Sequence, residues 1–165
     1  MHETILIVTD GTSSSDCAVE AGFEIAATSG ATVHALCAVN TSWWENSRDI
    51  SGETVEVTSG PGTSGDRPPP DSPIAALRRE GKAITDAVVK SGTERGLRIT
   101  GAVRSGEPSE TILAYTAEND IDLVVVGTGG RRSLDRLVFG DVTGRIIANV
   151  DVPVLVASGS EEENR

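Results

Sequence analysis

The chain has 165 residues, which is enough for one domain with a buried core, and its formal net charge is −11. Twelve arginines and only two lysines carry the positive charge, and the acidic excess argues against nucleic acid as a partner because like charges repel. No segment approaches the about 20 apolar residues that a membrane-spanning helix requires, so we expect a cytoplasmic protein without membrane insertion.

The first forty residues predict a strand, a helix and a second strand. Residues 3–8 form an apolar run that ends at Thr9-Asp10-Gly11, and the hydroxyl side chains that follow suit the start of a helix. Gly30 ends this helix, and Thr32 to Val39 is the predicted second strand. The apolar face of the helix consists mainly of small residues, which allow it to lie close to a sheet: Ala18, Ala21, Gly22, Ile25 and Ala26.

Residues 40–73 interrupt the alternation of strand and helix. This segment is rich in Ser, Gly, Thr and Pro, and Pro68-Pro69-Pro70 cannot join a sheet. We therefore predict a flexible insertion, in which Trp43-Trp44 docks either on the domain itself or on a partner. A solvated acidic tail is predicted at residues 159–165.

Helical spacing returns after Ser72 and is predicted to continue to Gly92 or Gly96, with an apolar face formed by Leu77, Gly81, Ile84 and Val88. The remaining predicted elements are a strand at 97–103, a helix at 107–119, a strand at 121–126, a helix through Val142, Ile146 and Val150, and a strand at 152–157. Because strands and helices alternate and the strands are rich in Val, Ile and Leu, we predict a Rossmann-like α/β domain. Its parallel sheet carries helices on both faces.

Three glycines follow the fourth predicted strand at the spacing G-x2-G-x9-G, namely Gly127, Gly130 and Gly140. Glycines in a strand-to-helix turn let backbone N–H groups approach an anion, and the N-terminus of the next helix adds partial positive charge. The pattern predicts a phosphate-binding loop, with a tight turn needed only for packing as the alternative. Ligands of parallel sheets bind at the carboxyl ends of the strands, so we expect Asp10 and Gly127 to border one crevice.

Together these segments resemble the universal stress proteins of the UspA type over almost the whole chain apart from the insertion. The matching sequences are Ile5-Leu6-Ile7-Val8-Thr9-Asp10-Gly11, the strand ending at Val39, Val125-Val126-Gly127-Thr128-Gly129-Gly130, Gly140, and Asp151-Val152-Pro153-Val154-Leu155-Val156. The resemblance implies a single domain over residues 1–165 with a five-stranded sheet in the order 3-2-1-4-5. It also implies a homodimer through the last strand, Pro153 to Ala157, that acts as a stress-response regulator with an unknown protein partner.

The resemblance further implies a nucleotide site. In the ATP-binding branch of the family, the aspartate after the first strand contacts the ribose or adenine. The end of the second strand offers its backbone to adenine, and the glycine loop wraps the ribose and phosphates. The implied ligand is ATP or AMP, with or without Mg²⁺, and Thr143 matches a second phosphate contact. The cofactor site predicted in this way comprises Asp10, Gly11, Val39, Val126, Gly127, Gly130, Arg131, Gly140, Asp141, Val142 and Thr143.

One position departs from the family pattern. Ser or Thr is expected directly after the last glycine, where it binds phosphate, but this chain has Asp141. A carboxylate within about 4 Å of a phosphate charge would cost on the order of 4 kcal/mol at an effective dielectric constant near 20. Asp141 either holds Mg²⁺ against the phosphates, is neutralised by Arg131 or Arg132, or caps the next helix and faces away.

Three hypotheses of function remain open. In the first, the protein is a dimeric regulator that binds an adenine nucleotide. In the second, Asp141 has made the pocket vestigial, and the protein is an interaction module that uses Trp43-Trp44 and the insertion. A slow ATP hydrolase is a third reading that lacks an identifiable base.

Catalysis is not expected from the sequence, because His2 and His34 have no evident relay partner. No cluster of His, Cys or carboxylate residues shows the spacing of metal ligands. The acidic, lysine-poor composition is typical of proteins from salt-in halophiles, with an ordinary acidic cytosolic protein as the alternative.

Overall fold

The computed structural model describes residues 2–11, 13–41, 72–127 and 142–157. In chain order the elements are β1 (Thr4–Val8), α1 (Ser13–Ser29), β2 (Thr32–Asn40), α2 (Pro73–Glu94), β3 (Ile99–Gly106), α3 (Pro108–Glu118), β4 (Leu123–Gly127), α4 (residues 142–149) and β5 (Val154–Ala157). The described strands form one parallel sheet in the order β3-β2-β1-β4-β5. The predicted fold and strand order are confirmed.

The sheet carries a hydrophobic core on each face, because side chains alternate along a strand. From β1, Ile5 and Ile7 point into the core that α1 and α2 cover, whereas Leu6 and Val8 point into the core that α3 and α4 cover. None of these four side chains is more than 8% exposed. Burial on both faces explains why the strands read as continuous apolar runs.

Helix α1 packs closely on β1 through Gly22. A Cβ atom at this position would lie 2.5 Å from Cδ1 and 2.6 Å from Cγ1 of Ile7, closer than real side chains approach. The small residues on this helix therefore do allow close contact with the sheet, as the sequence predicted.

The ends of α2 and α3 carry capping residues. Ser72 accepts a hydrogen bond from the backbone N–H of Ala75 at 3.1 Å, and a proline follows in the first turn of α2. Gly96 follows α2 with a φ of 80°, a left-handed conformation that commonly ends helices. At the start of α3, Glu107 accepts a hydrogen bond from the N–H of Glu110 at 2.9 Å.

The boundaries of β2, β4 and β5 differ from the predicted ones. β2 continues one residue further than predicted, because Asn40 still pairs with Gly106 of β3. β4 and β5 each begin two residues later than predicted. Apolar residues locate a strand, whereas its ends depend on backbone pairing with a distant strand.

The prediction of β3 at residues 97–103 was wrong at both ends. Leu97 completes the end of α2 by donating its N–H to the carbonyl of Gly92, so the strand begins only at Ile99. It continues to Gly106, beyond the last apolar residue, because its polar residues still pair with β2.

The limits of the predicted insertion at 40–73 also change. Asn40 belongs to β2, while Ser72 and Pro73 belong to the start of α2. The rest of the insertion, with Trp43-Trp44, and the predicted acidic tail lie outside the described residues. Of the helices that the structure describes, none is long and apolar enough to cross a bilayer.

Candidate functional site

The direction of the strand order reverses between β1 and β4. After β1 the chain adds β2 and then β3 on one side, and it later returns to add β4 on the other side. Connections diverge at such a point and leave a crevice outside the carboxyl ends of the strands. Asp10 and Gly127 lie at these adjacent strand ends, so the segments around them border the candidate site.

Hydrogen bonds of Thr9 hold the turn after β1 in place. Thr9 is buried, and its N–H donates to the carbonyl of Leu36 at 2.9 Å. The Thr9 hydroxyl lies 3.2 Å from the hydroxyl of Ser15 and accepts from the N–H of Gly11 at 3.5 Å. Gly11 has a φ of 80°, which favours glycine. The turn therefore holds Asp10 exposed at the edge of the sheet.

Helix α2 covers the end of β2. A Cβ atom at Gly81 would lie 3.3 Å from both Sγ of Cys37 and Cγ2 of Val39, so the α2 backbone rests directly on β2. Burial, and then the charges of Asp10 and Glu80, raise the pKa of the Cys37 thiol to about 11. The thiol stays protonated near neutral pH and is a poor nucleophile. This end of β2 is thus a packed wall of the crevice.

Helix α4 has a buried hydroxyl near its N-terminal end. Thr143 is 9% exposed, and its Oγ1 has no hydrogen-bond partner among the described residues. Ile146 lies one turn further along the same face and packs in the core with Val126. Because α4 connects two parallel strands, Thr143 lies at the carboxyl edge of the sheet. A hydroxyl beside a helix N-terminus suits an anion such as a phosphate.

An ion pair joins the starts of α3 and α4. Oε1 of Glu107 lies 3.5 Å from Nη1 of Arg145, while Oε2 accepts hydrogen bonds from the Ser109 hydroxyl at 2.6 Å and the Glu110 N–H at 2.9 Å. Burial acts to raise the pKa of Glu107, but these hydrogen bonds outweigh it, and the pKa is lowered. An ionised carboxylate therefore ties together the two helices that cover this face.

The predicted site residues fall into two groups. Those that the structure describes lie at or next to the carboxyl edge of the sheet: Asp10, Gly11, Val39, Val126, Gly127, Val142 and Thr143. Gly130, Arg131, Gly140 and Asp141 lie outside the described residues, so the glycine loop and the departure at Asp141 remain predictions. In the described part of the chain, no three His, Cys, Asp or Glu side chains gather where they could hold a metal ion.

The sequence reasoning missed Arg78 at this edge. Its Nε–H donates to the hydroxyl of Ser105 at 2.9 Å, which joins α2 to the end of β3. Helical spacing predicts Arg78 as one of the charged residues between the apolar positions of α2, but it stands three residues before Gly81 and so lies beside the face that packs on the sheet. Its i, i+3 spacing to Gly81 is the signal that could have identified it.

A family model described as the universal stress protein family matches residues 1–158. The chain belongs to the universal stress protein family. Among the family's curated members, universal stress protein MJ0531 of Methanocaldococcus jannaschii is 33% identical over 87 residues, which cover 53% of this chain and 51% of that protein. The chain spans about half the length of the curated relatives it matches.

Solved structures share the universal stress protein fold at low sequence identity. MJ0577 of Methanocaldococcus jannaschii superposes with a TM-score of 0.73 at 19% identity over 98% of this chain and 99% of that chain. A universal stress protein in complex with cAMP gives 0.59 at 22% identity, over 94% of this chain and 96% of that chain. The Archaeoglobus fulgidus protein in complex with dAMP gives 0.60 at 16% identity, over 94% and 97%. These comparisons establish the fold.

Proposed function

We propose that this universal stress protein binds an adenine nucleotide, ATP or AMP, at the carboxyl edge of its sheet and regulates a stress response through nucleotide occupancy. The observation that carries the proposal is the Thr143 hydroxyl, which is buried without a partner among the described residues. Buried polar groups are nearly always hydrogen bonded. An unpaired one beside a helix N-terminus therefore indicates a position where a ligand binds.

The described residues fit the parts of a nucleotide in order along the sheet edge. Thr143 and the N-terminus of α4 would receive the phosphate, next to Gly127 at the end of β4. The turn at Asp10 and Gly11 would border the ribose, and the backbone at Val39 would border the base. Two structural neighbours are complexes with cAMP and dAMP, which supports an adenine ligand.

We assign binding, and not turnover, to this site. Both histidines make contacts elsewhere: Nδ1 of His34 lies 2.8 Å from the Tyr115 hydroxyl under α3, and Nδ1 of His2 lies 3.4 Å from Asp122 just before β4. Neither ring is within reach of a nucleotide held beyond the carboxyl ends of the strands, so neither serves as its base. The proposal includes a cytoplasmic location.

The proposed regulator is a homodimer that pairs through Pro153 to Ala157. Within the described chain β5 pairs only with β4, which leaves its outer edge for the same strand of a second copy. Val156 on this edge is 40% exposed, and Ile147 of α4 is 54% exposed. Exposed apolar side chains beside an open strand edge support a protein interface here.

Nucleotide binding is tested by calorimetric titration of ATP and AMP at high salt, with and without Mg²⁺. The unaltered protein is compared with an Asp141→Ser variant. Tight binding by the unaltered protein would support the proposal, and a requirement for Mg²⁺ would give Asp141 a metal-bridging role. Binding that appears only in Asp141→Ser would contradict it. That outcome would show a vestigial pocket and favour the protein-interaction module.

A further inference from the structure

Arg78 of α2 is held at the carboxyl ends of β2 and β3. Its Nε–H donates to the Ser105 hydroxyl at 2.9 Å, and Ser105 pairs in register with Val39. The Arg78 side chain is half-buried. It therefore stands beside the strand end that borders the base in the proposed nucleotide site.

The position of Arg78 follows from the close packing of α2. A Cβ atom at Gly81 would lie 3.1 Å from Cγ1 of Val103 and 3.3 Å from Cγ2 of Val39, so the helix touches the sheet there. Arg78 precedes Gly81 by three residues and lies on the same face, one turn nearer the helix N-terminus. Because α2 connects parallel strands, that end of the helix lies toward the carboxyl edge. Arg78 is thus part of the wall above Val39.

The guanidinium group of Arg78 keeps donors for another acceptor. Within the described residues, the bond to Ser105 is the one hydrogen bond of this side chain, and it uses Nε. The terminal amino groups retain their N–H donors in a fixed fork. The unused donors of this half-buried guanidinium lie at the edge of the crevice, where an acceptor on a bound ligand can receive them.

We propose that Arg78 recognises the purine base of the nucleotide by donating a hydrogen bond to N7. This inference rests on the proposed function. Adjacent strands lie about 4.8 Å apart, so the three strand steps from Gly127 to Ser105 span roughly 14 Å. A nucleotide with its phosphate at Thr143 and its ribose at Asp10 directs its base toward Arg78. Arginine donates to both N7 and O6 of guanine, whereas adenine offers N7 as the one acceptor on that edge because its N6 amino group is a donor.

The test compares AMP with 7-deaza-AMP, in which a C–H group replaces N7. Calorimetry is performed on the unaltered protein, on Arg78→Met and on the matched control Arg79→Met, which alters the neighbouring exposed arginine. The unaltered protein and the control should bind AMP about tenfold more tightly than 7-deaza-AMP, as expected for a hydrogen bond from a charged group. Arg78→Met should bind both ligands equally, and Ser105→Ala should reduce the preference.

Equal affinity of the unaltered protein for AMP and 7-deaza-AMP would overturn this inference and leave the proposed function intact. That comparison does not depend on the folding of any variant. Ribose 5-phosphate supplies a second comparison, because it lacks a base and its affinity should not change in Arg78→Met. Parallel losses of ribose 5-phosphate and AMP would also overturn the inference. If the unaltered protein bound none of these ligands, the proposed function would fall as well.

Discussion

Thr143 keeps a hydroxyl in a buried position where no described group satisfies it. A buried hydroxyl that makes no hydrogen bond destabilises a folded protein, because it loses its bonds to water. The Thr143→Val variant replaces the hydroxyl by a methyl group of similar size. We expect it to raise the free energy of unfolding by about 1 kcal/mol, as measured by urea denaturation.

Thr116→Val is the matched control for this measurement. Thr116 is also buried, but its hydroxyl donates to the carbonyl of Ile112 at 2.7 Å. Losing that bond should lower the free energy of unfolding. If both variants changed stability in the same direction, the hydroxyl of Thr143 would have a partner in solution.

His34 gives the stability of the domain a pH dependence. Its ring stacks edge-on against Tyr115 with centroids 5.6 Å apart, and the guanidinium of Arg104 lies 5.3 Å from the centre of the Tyr115 ring. Burial lowers the pKa of His34, so below about pH 6.5 the unfolded chain binds a proton that the folded protein does not. The free energy of unfolding should therefore fall as the pH drops from 7 toward the lowered pKa.

Thermal denaturation of the unaltered protein and His34→Gln between pH 7.5 and 5.5 checks this expectation. Glutamine can still reach a hydrogen-bond partner but does not titrate. The unaltered protein should lose stability relative to the variant as the pH falls. Parallel curves for the two proteins would rule out His34 as the source.

Sequence reasoning reached some of these residues and not others, for a physical reason. Asp10 was predicted to border the crevice because it follows a recognisable strand, and Val39 was predicted from the resemblance to the universal stress proteins; both stay predictions as ligand contacts. The contact between His34 and Tyr115 joins residues 81 positions apart, and no local pattern encodes it. Arg78 was overlooked because helical spacing shows which face is buried, and not which strand end that face meets.

At the scale of helices and strands, the contact between α1 and β1 leaves little room for a side chain larger than that of glycine. Gly22→Ala would place a Cβ atom 2.6 Å from Cγ1 of the fully buried Ile7. Crowding in the core should outweigh the better helix propensity of alanine and destabilise the protein by roughly 1–3 kcal/mol. Urea denaturation measures this loss.

Gly144→Ala in α4 is the control, because no atom of the described residues lies within 4 Å of the added Cβ atom. It should stabilise the protein by up to about 1 kcal/mol through helix propensity alone. A stabilised Gly22→Ala variant would contradict this expectation, because it would show that the core around α1 accommodates the added methyl group without loss of stability.

The predicted elements were mostly correct because apolar runs and helical spacing report burial, and burial on both faces of the sheet makes β1 and β4 continuously apolar. The errors lay at the ends of strands, because backbone pairing with a strand distant in sequence determines where a strand ends. β3 runs on through polar Arg104 and Ser105 only because β2 continues beside it. Capping residues such as Glu107 and Ser72 act locally, so the helix starts were predictable.

For the whole molecule, the proposed dimer rests on the open edge of β5. Val156→Lys should give monomers in size-exclusion chromatography with light scattering, because a charge on the edge opposes strand pairing. Val154 is a poorer site for this change, since it packs against the core. Thr100→Lys on β3 at the opposite edge of the sheet is the control and should leave the dimer intact. Unchanged elution of Val156→Lys would exclude β5 as the interface.

The net charge of −11 should also make the stability of the whole domain depend on salt. Repulsion among exposed carboxylates falls when ions screen it, with a Debye length of about 3 Å at 1 M salt. The melting temperature should therefore rise as potassium chloride is raised from low to molar concentrations. A melting temperature independent of salt would remove the halophilic interpretation of the composition.

Binding of a nucleotide phosphate by Thr143 is tested most directly by calorimetric titration of AMP and adenosine into the unaltered protein and Thr143→Val. We predict that the variant binds AMP on the order of tenfold more weakly, because a hydrogen bond to a charged group is lost. Adenosine, which has no phosphate, should bind both proteins equally. Equal AMP affinity in the two proteins, or no AMP binding by the unaltered protein, would contradict the proposed function.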